Sequence, residues 1–488
     1  MSNVTNLGEG ALKDSFVAGQ NSEGVAFRGT LLKLTRLSAV FELYNPQAVL
    51  RFSESLSDFK IALNDRSLYS GKAAVRNLMN TGPAVVICEV TLNEGAWTDM
   101  NLAALNGNLS QKLRQEYQAF FSEWEKHHHR IRPEFKNVLA DLQSFLMNLQ
   151  LWLNRVELEI RASPAGDRAE LERKTIEEMA GPIIQAIDTF IAQFESIATD
   201  LEEELEPAHR AYLRRQLHPL LLCSPFAQRT FQKPLGYAGD YEMVDMMLRP
   251  PYEGETLFAK IINVWLHGQA PATAHRNRIT YLTRTFVNEI ARNPAGGAAM
   301  RVFNLGCGPA QEVQRFLVEH GQLSARTNIT LLDFSEETIQ YTRRVIDGIK
   351  TKHNLSTPVQ YLKRSVHQIL KDSGKSGASL ARQQYDYVYC AGLFDYLSDE
   401  VCKRLMNIFY EMLAPGGLLL ATNVSDAMNS LRPFRYSMEY ILDWYLIYRN
   451  GSQMLALAPE KAPADSIKVI TENTGVNVFI EVRKPDHA

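Results

Sequence analysis

The stretch Arg301 to Glu312, RVFNLGCGPAQE, restricts the fold more than any other part of this chain. A short apolar strand, Val302-Phe303-Asn304-Leu305, runs into Gly306-Cys307-Gly308 and then into a helical start at Pro309-Ala310-Gln311-Glu312. Two glycines let the backbone turn sharply and lie against a ligand with no Cβ in the way. The free N–H groups of a new helix point into the same crevice, and Pro309 early in it gives up a bond that the first turn lacks anyway. Together these features read as a nucleotide-binding corner. Taken alone, the glycine pair also fits a plain strand-to-helix connection.

Asn328 to Asp333 reads as a second buried parallel strand ending in an acid. An acid there can accept hydrogen bonds from both ribose hydroxyls of a nucleoside. The competing role, capping the next helix, can be filled by Ser335. A dinucleotide fold asks for G-x-G-x-x-G/A, whereas the register here is Gly306-x-Gly308-x-x-Gln311, without a small third residue. VFNLGCGPAQEV instead resembles the first motif of class I S-adenosylmethionine-dependent methyltransferases. The acid often found two residues before the first glycine is Asn304 here; an amide can hold a neighbouring group but lacks the charge interaction with the ligand's ammonium.

The later strands extend the resemblance, which covers Arg301 to Lys484. Pro358 to Val366 fits a third strand, and Ser365 and Val366 fall where such folds touch adenine. Tyr385 to Gly392 resembles the fourth strand, with the YD-x-V pattern and an end at Cys390 that faces the transferred methyl. Leu405 to Leu413 is helical, and Ala414-Pro415-Gly416-Gly417 turns into a fifth strand, Leu418 to Asn423. Ile467 to Glu472 and Asn477 to Val482, joined by Asn473-Thr474-Gly475-Val476, form a hairpin signal. It fits the antiparallel last strand that ordinary dinucleotide domains lack. The resemblance implies S-adenosylmethionine as cofactor, bound through Asn304, Gly306, Gly308, Asp333, Ser365, Val366 and Cys390.

With 488 residues the chain is too long for one core, so several domains are expected. A net charge of -3 gives no long-range pull on nucleic acid or anionic membrane. The N-terminus lacks the basic head and apolar core of a signal peptide, and no stretch approaches the about 18 apolar residues of a membrane span. The five cysteines include no close pairs, so neither a disulfide framework nor a zinc site follows, and a reduced cytoplasm is expected.

Residues 25 to 95, within a first domain of 1–100, are strand-rich, with β-prone runs at Val25 to Leu34, Ser38 to Tyr44, Val49 to Leu56, Phe59 to Leu63, Ser67 to Asn77 and Ala84 to Leu92. A small β-barrel is the natural reading, and it resembles the PilZ family. Asn77 to Gly82 has the outer residues of that family's D/N-x-S-x-x-G motif, but Met79 stands in the serine place. The arginine fork that grips cyclic di-GMP is not evident, so cyclic di-GMP binding is not expected. Residues 101–224 turn helical, with apolar spacing of three and four in Leu109 to Lys126, Phe135 to Ile160, Ala169 to Thr199 and Ala208 to Leu222. One stripe is Phe135, Val138, Leu142, Phe145, Leu149, Trp152 and Val156. A bundle or long hairpin is expected, with a homodimer seam as one use of it. His127-His128-His129 points in several directions on a helix, so a solvated helix end is preferred and no metal is expected.

Residues 225–488 form the methyltransferase with its helical approach. Lys233 to Glu242, KPLGYAGDYE, suits a loop closing over the cofactor through Tyr237, Asp240 and Tyr241, while Asp240 also suits a cap for a helix Tyr241 to Leu248. Arg278, and less so Arg276, is a candidate grip for the methionine carboxylate. The GYAGDY segment ahead of such a core resembles the bacterial group for biosynthesis of 3-hydroxypalmitic acid methyl ester. That group methylates a fatty-acid carboxylate to make a quorum-sensing signal. A carboxylate is deprotonated at neutral pH, which suits the lack of an obvious catalytic base near the fourth strand. No catalytic residue is therefore assigned. The aromatic insertion Ser425 to Ala464 either lines an acyl pocket, with Arg432, Arg435 or Arg449 for the carboxylate, or packs on the helices. The expected function is O-methylation of a small acyl carboxylate such as a 3-hydroxy fatty acid. The alternative is a regulatory S-adenosylmethionine-binding protein that recruits a partner through barrel and helices.

Overall fold

Strands near the N-terminus alternate inward and outward side chains, as β2 does with Phe27, Gly29 and Leu31 inside. The computed structural model describes residues 15–35, 37–43, 50–63, 66–82, 85–93, 97, 118, 131–293, 297–373, 384–425 and 434–486. The chain divides into two compact units, Met1–Ala238 with Pro251–Leu266 and Pro433–Tyr445, and Gly239–Pro250 with His267–Arg432 and Leu446–Ala488.

In the first unit, β1 (Ser15–Gln20), β2 (Ala26–Leu34), β3 (Ser38–Leu43), β4 (Ser55–Leu63), β5 (Arg66–Gly82) and β6 (Val85–Leu92) close an antiparallel barrel in the order β1-β2-β3-β6-β5-β4. Closure removes the free edges that would otherwise template pairing with another chain. Phe27, Phe41 and Phe59 fill its centre, with ring centroids 5.9 Å apart for Phe27–Phe41 and 5.7 Å for Phe41–Phe59. Val49 to Leu56 does not form the expected strand. Within it, the described residues turn at Ser53 (φ 60°) around Glu54. The buried Glu54 carboxylate accepts from the amides of Ser22 (2.6 Å) and Arg51 (2.7 Å), which folds the backbone round it. Strand β1 was not anticipated, because only Phe16 and Val17 among its six residues favour strands.

The helices of the same unit include α1 (Pro133–Ala162), α2 (Arg168–Thr199), α3 (Glu206–Leu221) and α4 (Pro225–Gln232). The α1 seam runs Phe135, Leu139, Leu142, Leu146, Leu149 and Leu153. This shifts the expected stripe: Val138, Phe145 and Val156 are only half-buried and Trp152 is 43% exposed. Alternating steps of four and three keep one narrow face on the partner helix, and leucine fills it better than the bulkier alternatives one position away. Leu109 to Lys126, apart from Gln118, and His127 to His129 lie outside the described residues.

The aromatic insertion splits. Its first half carries the helix Arg435–Ile441, which belongs to the helical unit rather than lining an acyl pocket. The Glu195 carboxylate accepts from the Ser437 amide and hydroxyl, both at 2.6 Å, and Phe194 meets Tyr440 edge-on at 5.8 Å. The buried Asp443 carboxylate takes Arg214 at 2.7 Å and Lys233 at 2.9 Å. Arg435 pairs with Glu439. Arg432 lies outside the described residues.

The second unit contains α5 (Tyr241–Met246), α6 (Ala270–Arg292), β7 (Met300–Leu305), α7 (Gln311–Glu319), β8 (Thr327–Asp333), α8 (Glu336–His353), β9 (Val359–Lys363), α9 (Val366–Ser373), β10 (Tyr385–Cys390), α10 (Asp399–Met412), β11 (Leu413–Val424), β12 (Ile467–Thr471) and β13 (Asn477–Arg483). The seven strands lie in the order β12-β13-β11-β10-β7-β8-β9. Strands β7 to β11 are parallel, and β13 runs antiparallel beside β11 with β12 antiparallel outside it. The order reverses between β7 and β10. In open α/β sheets the crevice at such a switch point is where ligands bind. In β11 the pairing with β10 jumps from Leu413 to Leu418, and Gly416 takes φ 76° in the loop between. Among the described residues no helix is long and apolar enough to cross a membrane, and no His/Cys/Asp/Glu cluster is arranged to hold a metal.

Candidate functional site

The corner at the switch point is built by three departures from ordinary backbone at alternate positions. Gly306 has φ 70°, Gly308 φ 50° and Ala310 φ 51°. Helix α7 therefore starts at Gln311, after Ala310, and Pro309 stands before it rather than in its first turn. The reason is local: the Ala310 amide bonds back to Cys307 O at 2.8 Å, closing a tight turn that the helix must clear. The amides of Gly306 (2.8 Å) and Cys307 (3.0 Å) both donate to Leu332 O, which fixes this turn to the end of β8. A Cβ on Gly308 would meet nothing within 4 Å, so the glycine lies against open space.

Asp333 ends β8 beside that turn. Its two carboxylate oxygens accept from the Gly308 amide (3.1 Å) and the Ser335 amide (3.0 Å). Ser335 caps α8 through the Thr338 amide, so the helix does not depend on Asp333 for its cap. Asp333 is thereby oriented at the glycine turn by two backbone donors.

Behind the turn sits a polar cluster that the sequence did not suggest. Asn304 donates through Nδ2 to Glu312 Oε1 at 3.1 Å, and the Tyr389 hydroxyl donates to the same oxygen at 2.7 Å. Burial pushes the Glu312 carboxyl up, opposed by the Tyr389 hydrogen bond and by Arg278. Asn304 Oδ1 is buried without a hydrogen-bond donor among the described residues. Asp245 on α5 accepts from Gln311 and Tyr341, tying α5 to the start of α7 and to α8. Burial pushes the Asp245 carboxyl up, against those two hydrogen bonds. No spacing pattern links residues so far apart in sequence.

Arg278 projects from α6 to the end of β10. Its guanidinium nitrogens lie 3.0 Å from where a Cβ of Gly392 would stand, so that glycine makes room for it. Gly392 also takes φ 83°. Arg278 donates to His275 Nδ1 at 2.8 Å, and no carboxylate lies within ion-pair distance of it among the described residues. Burial lowers the Arg278 guanidinium, while Asp395 and Tyr396 act in the opposite sense. Burial and the two neighbouring guanidiniums push the His275 imidazole well below its usual value. Arg276 instead holds backbone and hydroxyl oxygens, at 2.9 Å to His267 O and 3.0 Å to Thr273 Oγ1.

The other expected residues take mixed roles. Ser365 caps α9, its hydroxyl accepting from Gln368 N while Gln368 Oε1 accepts from Ser365 N. Val366, at the start of α9, and Cys390, at the end of β10, turn their side chains into the core. Asp240 caps α5 through the Met243 amide at 2.9 Å. That helix ends at Met246, short of the expected Leu248. Tyr241 stacks on Tyr341 with centroids 4.4 Å apart and donates to Glu337 at 3.0 Å. Tyr237 belongs to the other unit, where it is half-buried. Arg449 is fully engaged by Asp399, Asn423 and the carbonyls of Phe394 and Leu397.

A parallel sheet with this order, an antiparallel last pair of strands and a glycine turn at its switch point defines a Rossmann-like methyltransferase fold. Residues 297–449 match the family model described as a methyltransferase domain, so that segment carries a methyltransferase domain. Solved structures similar to the chain include a possible exported protein from Bordetella parapertussis (17% identity, 51% of this chain and 81% of that one, TM-score 0.40). Others are an O-methyltransferase family protein from Burkholderia thailandensis (14%, 58% and 72%, TM-score 0.33) and the N-methyltransferase NodS from Bradyrhizobium japonicum with S-adenosyl-L-homocysteine (15%, 50% and 98%, TM-score 0.30). Likenesses this weak carry no argument about the acceptor. A search of curated proteins gave no match.

Proposed function

We propose that this domain methylates a carboxylate oxygen of a small acyl acceptor, with the methyl donor held at the corner between β7 and β10. Gly306 and Gly308 would carry the donor against bare backbone, and Asp333 would accept from its ribose hydroxyls. Asn304 Oδ1, buried without a donor, is the acceptor that the ammonium group would satisfy. Arg278, a guanidinium without an ion pair, is assigned to the methionine carboxylate. Ser365, Val366 and Cys390 can contribute only backbone to the adenine and the reacting centre. Asp240 and Tyr241 are assigned to the cover of the site. Bound S-adenosylmethionine supplies an electrophilic methyl group on a sulfonium. The chain's own contribution is placement and the exclusion of water.

What supports a carboxylate acceptor is the character of the groups near Gly392. Asp395 is 3% exposed and accepts from the Val424 amide at 2.6 Å, which fixes its orientation. His275 is held neutral by burial and bonded to Arg278. His275 Nδ1 is thus occupied by Arg278, and a carboxylate acceptor brings no proton to remove. The acyl body of the acceptor rests on the resemblance of the GYAGDY segment alone. Labelled S-adenosylmethionine and a 3-hydroxy fatty acid test the reading. A carboxyl ester releases its label as methanol in mild alkali. Label that survives alkali, or that appears only on protein or nucleic acid, would contradict it. Tight donor binding without turnover on any acceptor would favour a regulatory role instead.

A further inference from the structure

The first unit contains a cavity of about 760 Å³ where barrel strands β5 and β6 face helices α3 and α4. That volume lies in the range of small-molecule sites, roughly 300–1,000 Å³. Five cationic side chains line it, Lys72, Arg210, Arg214, Arg215 and Lys233, against one carboxylate, Asp443. Asp443 is already committed. Lys233 and Arg214 both pair with it, and they hold its carboxyl far below the usual range despite its burial. The nearest acid on α3, Glu206, pairs with Arg76 and does not line the cavity.

The excess that a ligand can meet is therefore carried by Lys72 and Arg210. Arg210 is 3% exposed, and its Nη1 is buried without a hydrogen bond among the described residues. Its guanidinium lies over the rings of Tyr440 (5.9 Å) and Tyr445 (5.8 Å), which accept positive charge but cannot satisfy that N–H in its plane. His218 adds no charge near neutrality, since burial and Arg214 lower its imidazole to about 4. Ala73, Leu92 and Phe231 give the cavity an apolar side.

We propose that this cavity binds an organic phosphate, with the phosphate on Arg210 and Lys72 and an apolar or aromatic body along the Ala73–Leu92–Phe231 side. A carboxylate would bring a single charge to the two cations Lys72 and Arg210, whereas a phosphate monoester brings about two, with three acceptor oxygens for the Arg210 fork. No residue assigned to the methyl-donor site lines the cavity, so this site stands apart from the methyl transfer.

Titration calorimetry on the full chain, with UDP and phenyl phosphate as probes and pyrophosphate as control, tests it. At least one organic probe should bind more tightly than pyrophosphate. Arg210→Met and Lys72→Ala should each weaken it by about tenfold or more. Lys72 is exposed, so Lys72→Ala should leave the melting temperature unchanged and guards against a folding artefact in the Arg210 variant. Absence of binding by both organic probes at millimolar concentration overturns the proposal. So does binding that Lys72→Ala leaves unchanged, or pyrophosphate binding at least as tightly as the better of the two organic probes.

Discussion

Asn304 occupies the place where related motifs carry an acid, and its environment gives a physical reason for the amide. Glu312 lies 3.1 Å away and is buried, so a second carboxylate there would face a like charge in low dielectric. Asn304→Asp should therefore lower stability by about 3 kcal/mol at pH 8, and by less at pH 5, where one of the pair can hold a proton. Thermal melting at the two pH values measures it; equal loss at both would rule out charge repulsion as the cause. Asp240 offers a second test. Asparagine caps a helix as well as aspartate does, so Asp240→Asn should leave the melting temperature nearly unchanged while lowering methyl transfer, whereas Asp240→Ala should cost about 1 kcal/mol. A large stability loss in Asp240→Asn with intact specific activity would assign the residue to capping alone. Gly306, Gly308 and Asp333 were legible because a turn and a strand end leave a local pattern. Glu312, Tyr389 and Asp245 were not, since they meet only after the sheet has formed.

At the scale of elements, parallel strands ending in turns were readable from short apolar runs, and long helices from their spacing. The phase of α1 was not. Phe145 and Leu146 are equally apolar in sequence, and only packing selects the leucine face. The aromatic insertion misled for a similar reason, because tyrosines that fill a helical core look the same in sequence as tyrosines that line a pocket. Its anchor to α2 is testable through Glu195. Burial raises this carboxyl from 4.5 to about 7, against the hydrogen bonds from Ser437 and Tyr436. A folded-state value above the unfolded one means that the contribution is full below about pH 4.5. It is lost as pH rises through about 7, by about 3 kcal/mol in all. Denaturant unfolding of the wild type should thus show declining stability across that window, and Glu195→Gln should flatten the profile. An identical slope in both proteins would place the pH dependence elsewhere.

For the whole molecule, the central claim is that the corner between β7 and β10 holds S-adenosylmethionine through Asp333 and Arg278. Calorimetric titration of the full chain with S-adenosylmethionine addresses it most directly. One donor should bind per chain. Asp333→Ala, which removes a charged acceptor from two ribose hydroxyls, should weaken binding by about 1.5–3 kcal/mol, roughly tenfold to 150-fold. Arg278→Met should weaken it by a similar amount, with melting curves confirming that both variants remain folded. Unchanged affinity in folded Asp333→Ala and Arg278→Met, or binding of NAD in place of S-adenosylmethionine, would contradict the account.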